Sequence, residues 1–471
     1  MGVNRNILNL AVPSILANVT VPLVGMVDIA VAGHLDASSV ASVATMIGGI
    51  AIGTMLFDLL YWNFGFLRVG TGGLTAQAFG KGNMREAADI FARASGIAVA
   101  CALLLIAVQW LFLRLAFLAV DCSPEVEALA SGYFFIRIWA SPATLSLMAF
   151  KGWFIGMQDS ISPMITDLVV NGMNVLASIV LAFGFSFGEF AWDGMGFPGI
   201  AAGTVAAQYS GLICAVVILA VKYGRKVFSG YGLSDAVSAF NGGQMKRFFT
   251  VNRDLFIRSL CFIGIYIGFT TFSAHYGDIL LASATILMKI MMLFSYFTDG
   301  FAYAGEALTG RYVGAGDRVM LRRTVRAVFV WSMCIGLVFM VLYAFAGLPI
   351  LKVMTTDFQV IDVSLKYMPW MVLMPLAGCA AFTWDGIYIG ATASRPIRDN
   401  MILAAAAFFL VYLAGIGLLK ALSPSDGFSS VAAIHVLLAA YLVHLLVRTA
   451  YLSVRYRKDI LAKPFGNPAL Q

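Results

Sequence analysis

Charge is what this sequence is short of. Only 12% of its 471 residues are Asp, Glu, Lys or Arg, against 61% hydrophobic, and mean hydropathy is +0.88. A soluble domain carries roughly twice that charged fraction. A chain this apolar cannot cover itself with polar surface in water, so lipid is the solvent that fits. Histidines number four, and no His/Cys cluster has metal-ligand spacing, which argues against a metal enzyme. The six cysteines (Cys101, Cys122, Cys214, Cys261, Cys334, Cys379) are scattered through apolar runs and read as small packing residues, not a disulfide framework. No catalytic signature is present. The GTGG at Gly70–Gly73 lacks the lysine and hydroxyl of a phosphate loop, so ATP-driven pumping has no support and no cofactor is expected. The net charge of +7 does not imply a nucleic-acid partner, because the basic residues sit in short loops between apolar runs.

What the chain has in abundance is long apolar runs. They fall near 7–32, 40–66, 90–119, 126–156, 163–186 and 198–222, then near 251–274, 279–307, 325–351, 359–391, 399–420 and 429–454. Each can supply the roughly 20 residues that a helix needs to cross hydrocarbon, giving twelve spans. Barrel strands would be short and alternating in polarity, which these are not. The first run is too long for a signal-peptide core and reads as a true span.

Loop charges give the orientation. Basic residues mark the amino terminus (Arg5), the second loop (Lys81, Arg85, Arg93), the sixth (Lys222, Arg225, Lys226, Lys246, Arg247), the eighth (Arg311, Arg318, Arg322, Arg323), the tenth (Arg395, Arg398) and the tail (Arg455, Arg457, Lys458). Odd loops are neutral or acidic, with Asp36, Asp121, Glu125, Glu127, Glu189, Asp193 and Asp278. Positive-inside sorting then predicts cytoplasmic termini.

The two halves are related. LTAQAFGKGN (Leu74–Asn83) matches LTGRYVGAGD (Leu308–Asp317), and FKGWFIG (Phe150–Gly156) matches WDGIYIG (Trp384–Gly390), both at an offset of 234 residues. The first match follows the second span of each half and the second closes the fourth. Six spans per half preserve orientation, so the expected fold is all-α, with two pseudo-symmetric six-helix lobes. The predicted divisions are 1–222, a polar cytoplasmic linker 223–250, 251–456 and a tail 457–471. Duplicated lobes are a common plan for secondary transporters that work by alternating access.

The motifs PLVGMVDIAVAGHL (Pro22–Leu35), GFLRVGTGGLTAQAFG (Gly65–Gly80), DGFAYAGEALTG (Asp299–Gly310), WDGIYIGAT (Trp384–Thr392) and RDLFIRS (Arg253–Ser259) span nearly the whole chain. In this order they resemble the multidrug and toxic compound extrusion (MATE) transporters, most closely the DNA-damage-inducible, DinF-like branch. The resemblance implies a V-shaped pair of lobes and a cation-coupled antiporter, driven by H+ or Na+, that expels lipophilic and often cationic organic compounds. The expected setting is a monomer among the lipids of a bacterial-type inner membrane. Many members carry a second carboxylate in the fifth span, four residues after an asparagine. Here Asn174 is followed at that spacing by Ser178.

An intramembrane carboxylate costs about 2.5–3.5 kcal/mol on insertion scales, so each one needs a reason. Asp28, in the outward half of the first span, reads as the ion-coupling residue, with a fixed, hydrogen-bonded structural Asp as the other reading. Asn171, Asn174 and Ser178 share one face of the fifth span, where they either line a cavity beside Asp28 or bond neighbouring helices. In the second half, Asp299 and Glu306 are seven residues apart on the eighth span and face the same way, with Lys289 as a candidate internal counter-ion. The resemblance places Asp299 and Asp385 in a carboxy-lobe polar cluster for substrate or coupling; Glu306 alternatively caps the helix or pairs with arginine. Lys151 occupies the repeat position of Asp385, and Arg68 is the candidate partner for Asp58 or Asp167. A competing reading, a flippase for lipid-linked precursors, needs several buried cations to hold a pyrophosphate. Lys151 and Lys289 are the deep candidates that the sequence suggests for that role.

Overall fold

The computed structural model describes residues 2–35, 42–118, 120, 122–187, 190–240, 242–422 and 430–462. Asp36, Asp121 and Glu189, read above as acidic loop residues, lie outside these. Twelve helices among the described residues are long and apolar enough to cross a membrane: α1 (Val3–Gly33), α2 (Thr45–Gly80), α3 (Met84–Phe117), α4 (Pro124–Gly156), α5 (Ile161–Phe183), α6 (Phe197–Val227), α7 (Gly243–Ala274), α8 (Asp278–Ala315), α9 (Arg318–Met354), α10 (Phe358–Gly390), α11 (Ser394–Leu422) and α12 (Ser430–Leu461). They coincide with the twelve apolar runs, and all but α5 and α10 are longer than the runs. The repeated LTAQAFG and LTGRYVG segments are therefore the last turns of α2 and α8, not loops that follow them. One element departs from an all-helical chain, a small antiparallel hairpin of β1 (Phe185–Phe187) and β2 (Phe190–Trp192) between α5 and α6.

The internal duplication is written in the backbone. Gly82 and Gly316, 234 residues apart, both adopt positive φ (70° and 74°). The next residue in each half, Asn83 or Asp317, caps the following helix by accepting from Glu86 N at 3.0 Å or Met320 N at 2.9 Å. Two non-glycine residues have positive φ among the described residues, Gln158 and Thr392, again 234 apart. Close helix crossings repeat in the same register. A Cβ on Gly152 would lie 2.2 Å from the Arg68 carbonyl oxygen, and one on Gly386 would lie 2.2 Å from that of Ala302. Glycine is retained at these places because the helix backbones touch there.

The helices group into two compact units, Leu16–Phe248 and Phe249–Gln471 with Met1–Ile15. The opening turns of α1 thus belong with the second unit, apart from the rest of 1–222. Trp331 Nε1 donates to Asn4 Oδ1 at 3.3 Å, and Ile15 and the Ala11 carbonyl lie against Gly300. The polar stretch after α6 is docked on α3 within the first unit. Arg85 pairs with Asp235 of a short helix (Leu233–Ser238), Arg93 Nε donates to the Ala239 carbonyl, Tyr231 donates to Asp89 at 2.8 Å, and the Phe240 ring fills the space beside Gly96.

Between α4 and α5, Asp159 ties two helix ends together. Its carboxylate accepts from Lys222 Nζ at 2.6 Å, Tyr223 OH at 2.7 Å, Ser162 Oγ at 2.5 Å and Ser162 N at 3.1 Å. Burial alone would raise its pKa, but these donors outweigh it and hold the carboxyl below its usual range. A depressed folded pKa stabilises the fold above the unfolded value of about 4 and ceases to do so as pH falls through the folded value. Asp159→Asn should therefore lower the unfolding temperature by a few degrees at pH 7 and pH 5 alike. In thermal melts across pH, that gap should close only below about pH 4.

Candidate functional site

In the first unit, α1 brings Asp28 into the protein, where it is 4% exposed. The α5 face that carries Asn171, Asn174 and Ser178 lies alongside. Ser178 is held there because Gly203 of α6 admits the α5 backbone; a Cβ on that glycine would meet Ser178 N at 2.5 Å. Its hydroxyl donates to Asp28 Oδ1 at 3.4 Å. Asn171 Nδ2 donates to Thr20 on α1 at 2.5 Å, two turns before Asp28. Asn174 turns the other way, donating to Thr204 of α6 at 3.1 Å, and its buried Oδ1 has no hydrogen-bond partner among the described residues. Of the three polar residues on that α5 face, then, Ser178 alone bonds Asp28 directly. Among the described residues no ion pair within 4 Å holds Asp28.

The sequence reading missed Arg137. It sits in α4 immediately before a 3-10 turn (Ile138–Ala140), donates to Tyr133 OH at 3.0 Å, lies 4.8 Å over the Phe57 ring and is within electrostatic reach of Asp28. A second 3-10 turn, Asn63–Gly65, interrupts α2, and Tyr61 beside it bonds Ser141 at 3.0 Å. The equivalent stretches of α8 and α10 are continuous helix. Interrupted spanning helices are where transporters commonly place bound ions and substrates. Asp28 thus has one long hydroxyl bond, no ion pair within 4 Å among the described residues, and Arg137 within electrostatic reach.

The second unit is built differently. The side chains that bond Asp385 of α10 are two arginines that the sequence reading did not nominate. Arg258 of α7 and Arg448 of α12 both donate to Asp385 Oδ2, at 2.5 and 2.7 Å. Arg448 is 1% exposed, lies 5.3 Å over the Phe382 ring, and among the described residues its Nε and Nη1 have no partner; nor has Arg258 Nε. One turn before Arg448, buried His444 donates from Nδ1 to the Tyr441 carbonyl at 2.5 Å. Leaving charged donors unsatisfied in a low-dielectric interior costs upward of about 1–3 kcal/mol each.

The remaining expectations resolve unevenly. Lys289 is exposed on α8, on the side away from buried Leu287 and Met291, so it is not an internal counter-ion. Glu306 is buried on the same helix and Asp299 is half-buried. Lys151 bonds Asp167 at 2.6 Å, giving Asp167 a cation other than Arg68. The repeat positions Lys151 and Asp385 both make ion pairs, of opposite sign.

Comparison with known proteins adds the family. The MatE family model matches residues 13–183 and 255–416, covering parts of both halves. The DNA damage-inducible protein F of Escherichia coli (strain K12) is 32% identical over 406 residues, 86% of this chain and 84% of that one. The probable multidrug resistance protein NorM of Thermotoga maritima is 22% identical over 77% of this chain and 74% of its own length. Among solved structures, a MATE protein in its bent conformation aligns with a TM-score of 0.80 at 14% identity, over 97% and 96% of the two chains. The motifs, the duplicated twelve-helix fold and these matches agree: the chain belongs to the MATE family of efflux transporters, in its DinF-like branch.

Proposed function

We propose that this transporter exports lipophilic, often cationic organic compounds by alternating access, in exchange for protons, with Asp28 as the coupling carboxylate. The observation that carries the reading is the setting of Asp28. It is buried in a spanning helix, bonded at 3.4 Å to a neutral hydroxyl and free of a direct ion pair among the described residues. Such a carboxyl can gain and lose a proton, and each change alters its bond to Ser178 and its attraction to Arg137. Protonation thereby biases one arrangement of α1 against α5. Asn174, turned toward α6, keeps a buried Oδ1 that can accept from an ion or amine only if α5 and α6 shift during the cycle. Exchange of one proton for one monovalent cation moves no net charge, so the pH gradient drives it, at about tenfold accumulation per pH unit.

In this reading the protein is a monomer in a bacterial-type inner membrane, with both termini in the cytoplasm. The flippase reading gains Arg137, Arg258 and Arg448 as deep cations, but two of them share Asp385 and the third faces Asp28. The surplus is too small for a pyrophosphate. Proteoliposomes given separate pH and sodium gradients test the coupling. Efflux of a lipophilic cation should follow the pH gradient and ignore sodium alone. Transport driven by sodium alone would replace the proton, and transport driven by neither would remove the proposal.

A further inference from the structure

The second unit contains a charge arrangement that cation export does not use. Within the hydrogen-bonded cluster of α7, α10 and α12, two guanidinium groups share a single carboxylate oxygen, which leaves one positive charge in excess. Three of the buried donor nitrogens, Arg448 Nε, Arg448 Nη1 and Arg258 Nε, have no acceptor among the described residues. His444 adds no negative charge, since a ring whose Nδ1 donates to a carbonyl is neutral or cationic. Arginine forks are matched to oxyanions, and they bind them most strongly where water is excluded. Arg448 is almost fully buried, whereas the Arg258 side chain is 21% exposed and gives the cluster an open side. The Phe382 ring beside Arg448 supplies an apolar wall for the body of a ligand.

We infer that Arg258 and Arg448 form a binding site for one monovalent anion, a carboxylate on an apolar body or a halide, with Asp385 as the internal group that the ligand competes with. The site takes one negative charge because the cluster is short of one. It stands independently of the role assigned to Asp28, which lies in the other unit.

Isothermal titration of the purified full-length transporter with sodium benzoate, in chloride-free buffer, tests this. Wild type should bind one benzoate saturably. Arg258→Gln, at the more exposed arginine, should weaken binding at least about tenfold while gel filtration shows a folded protein. Arg448→Gln should do the same where it folds. Asp385→Asn should tighten binding, because it frees both arginines, whereas a purely structural ion pair would give no gain. Repeating the titration in chloride separates the two sources of charge. Displacement of benzoate identifies a site open to inorganic halide, and no displacement identifies one selective for carboxylates. No saturable binding of either anion, wild-type affinity in Arg258→Gln, or unchanged or weaker binding in Asp385→Asn overturns the inference.

Discussion

Asp28→Asn is expected to abolish the roughly tenfold accumulation per pH unit that one coupled proton can sustain, bringing efflux down to that of empty vesicles. The substitution keeps the volume of the side chain and an oxygen to accept from Ser178, so α1 and α5 should still pack and the protein should still insert. What is lost is the ability to ionise. The family of alternative explanations is narrowed by two companions. Asp28→Glu keeps the titratable group but displaces it by one methylene, and should retain partial transport. Ser178→Ala removes only a long hydrogen bond and should weaken transport by a smaller factor than loss of the carboxylate does. Efflux of a fluorescent lipophilic cation from vesicles, normalised to membrane-inserted protein, separates these outcomes. Wild-type efflux in Asp28→Asn would mean that another group carries the proton.

The second large effect concerns the fold. Gly152→Ala and Gly386→Ala should each destabilise the transporter at or above the upper end of the roughly 1–3 kcal/mol usual for overpacking. In each case the new methyl would sit 2.2 Å from a backbone carbonyl, that of Arg68 or of Ala302. A flexible side chain can swing aside, but a helix backbone cannot, so α2 must part from α4, or α8 from α10. Because the two crossings are the same feature in each repeat, their effects should be similar. Gly132→Ala and Gly264→Ala serve as controls, since nothing lies within 4 Å of the added carbon. Alanine is the better helix former by up to about 1 kcal/mol, so these should be neutral or mildly stabilising. Thermal melts in detergent would read the contrast. Wild-type stability in both crossing variants would mean that these backbones do not meet.

The spans, the duplication and the shared face of Asn171, Asn174 and Ser178 were legible in the sequence because each depends on periodicity or local identity. The arginines were not. One guanidinium barely lowers the hydropathy of a long apolar window, so Arg137 in FFIRIWAS and Arg448 in LLVRTA passed as parts of spans. Arg258 stood in plain view within RDLFIRS and was read only as a mark of the family. Its partner, 127 residues away on α10, is set by tertiary packing. A rule that every ionisable residue inside a span demands a named partner would have flagged all three. Lys289 failed in the opposite direction. Sequence distance from Asp299 made it look internal, whereas the helical phase of buried Leu287, Met291 and Phe294 turns it outward. The short hairpin between α5 and α6 lay below the length that a search for spans can see.

A change of protonation at Asp28 during the transport cycle is the claim on which the mechanism turns. It can be read without any membrane gradient, by adding a lipophilic cation to the purified transporter in weakly buffered solution with a pH indicator. Wild type should release a proton on binding, in proportion to occupancy, and Asp28→Asn should bind the same cation and release none. Equal proton release from the two proteins, or none from wild type at saturation, would contradict the account.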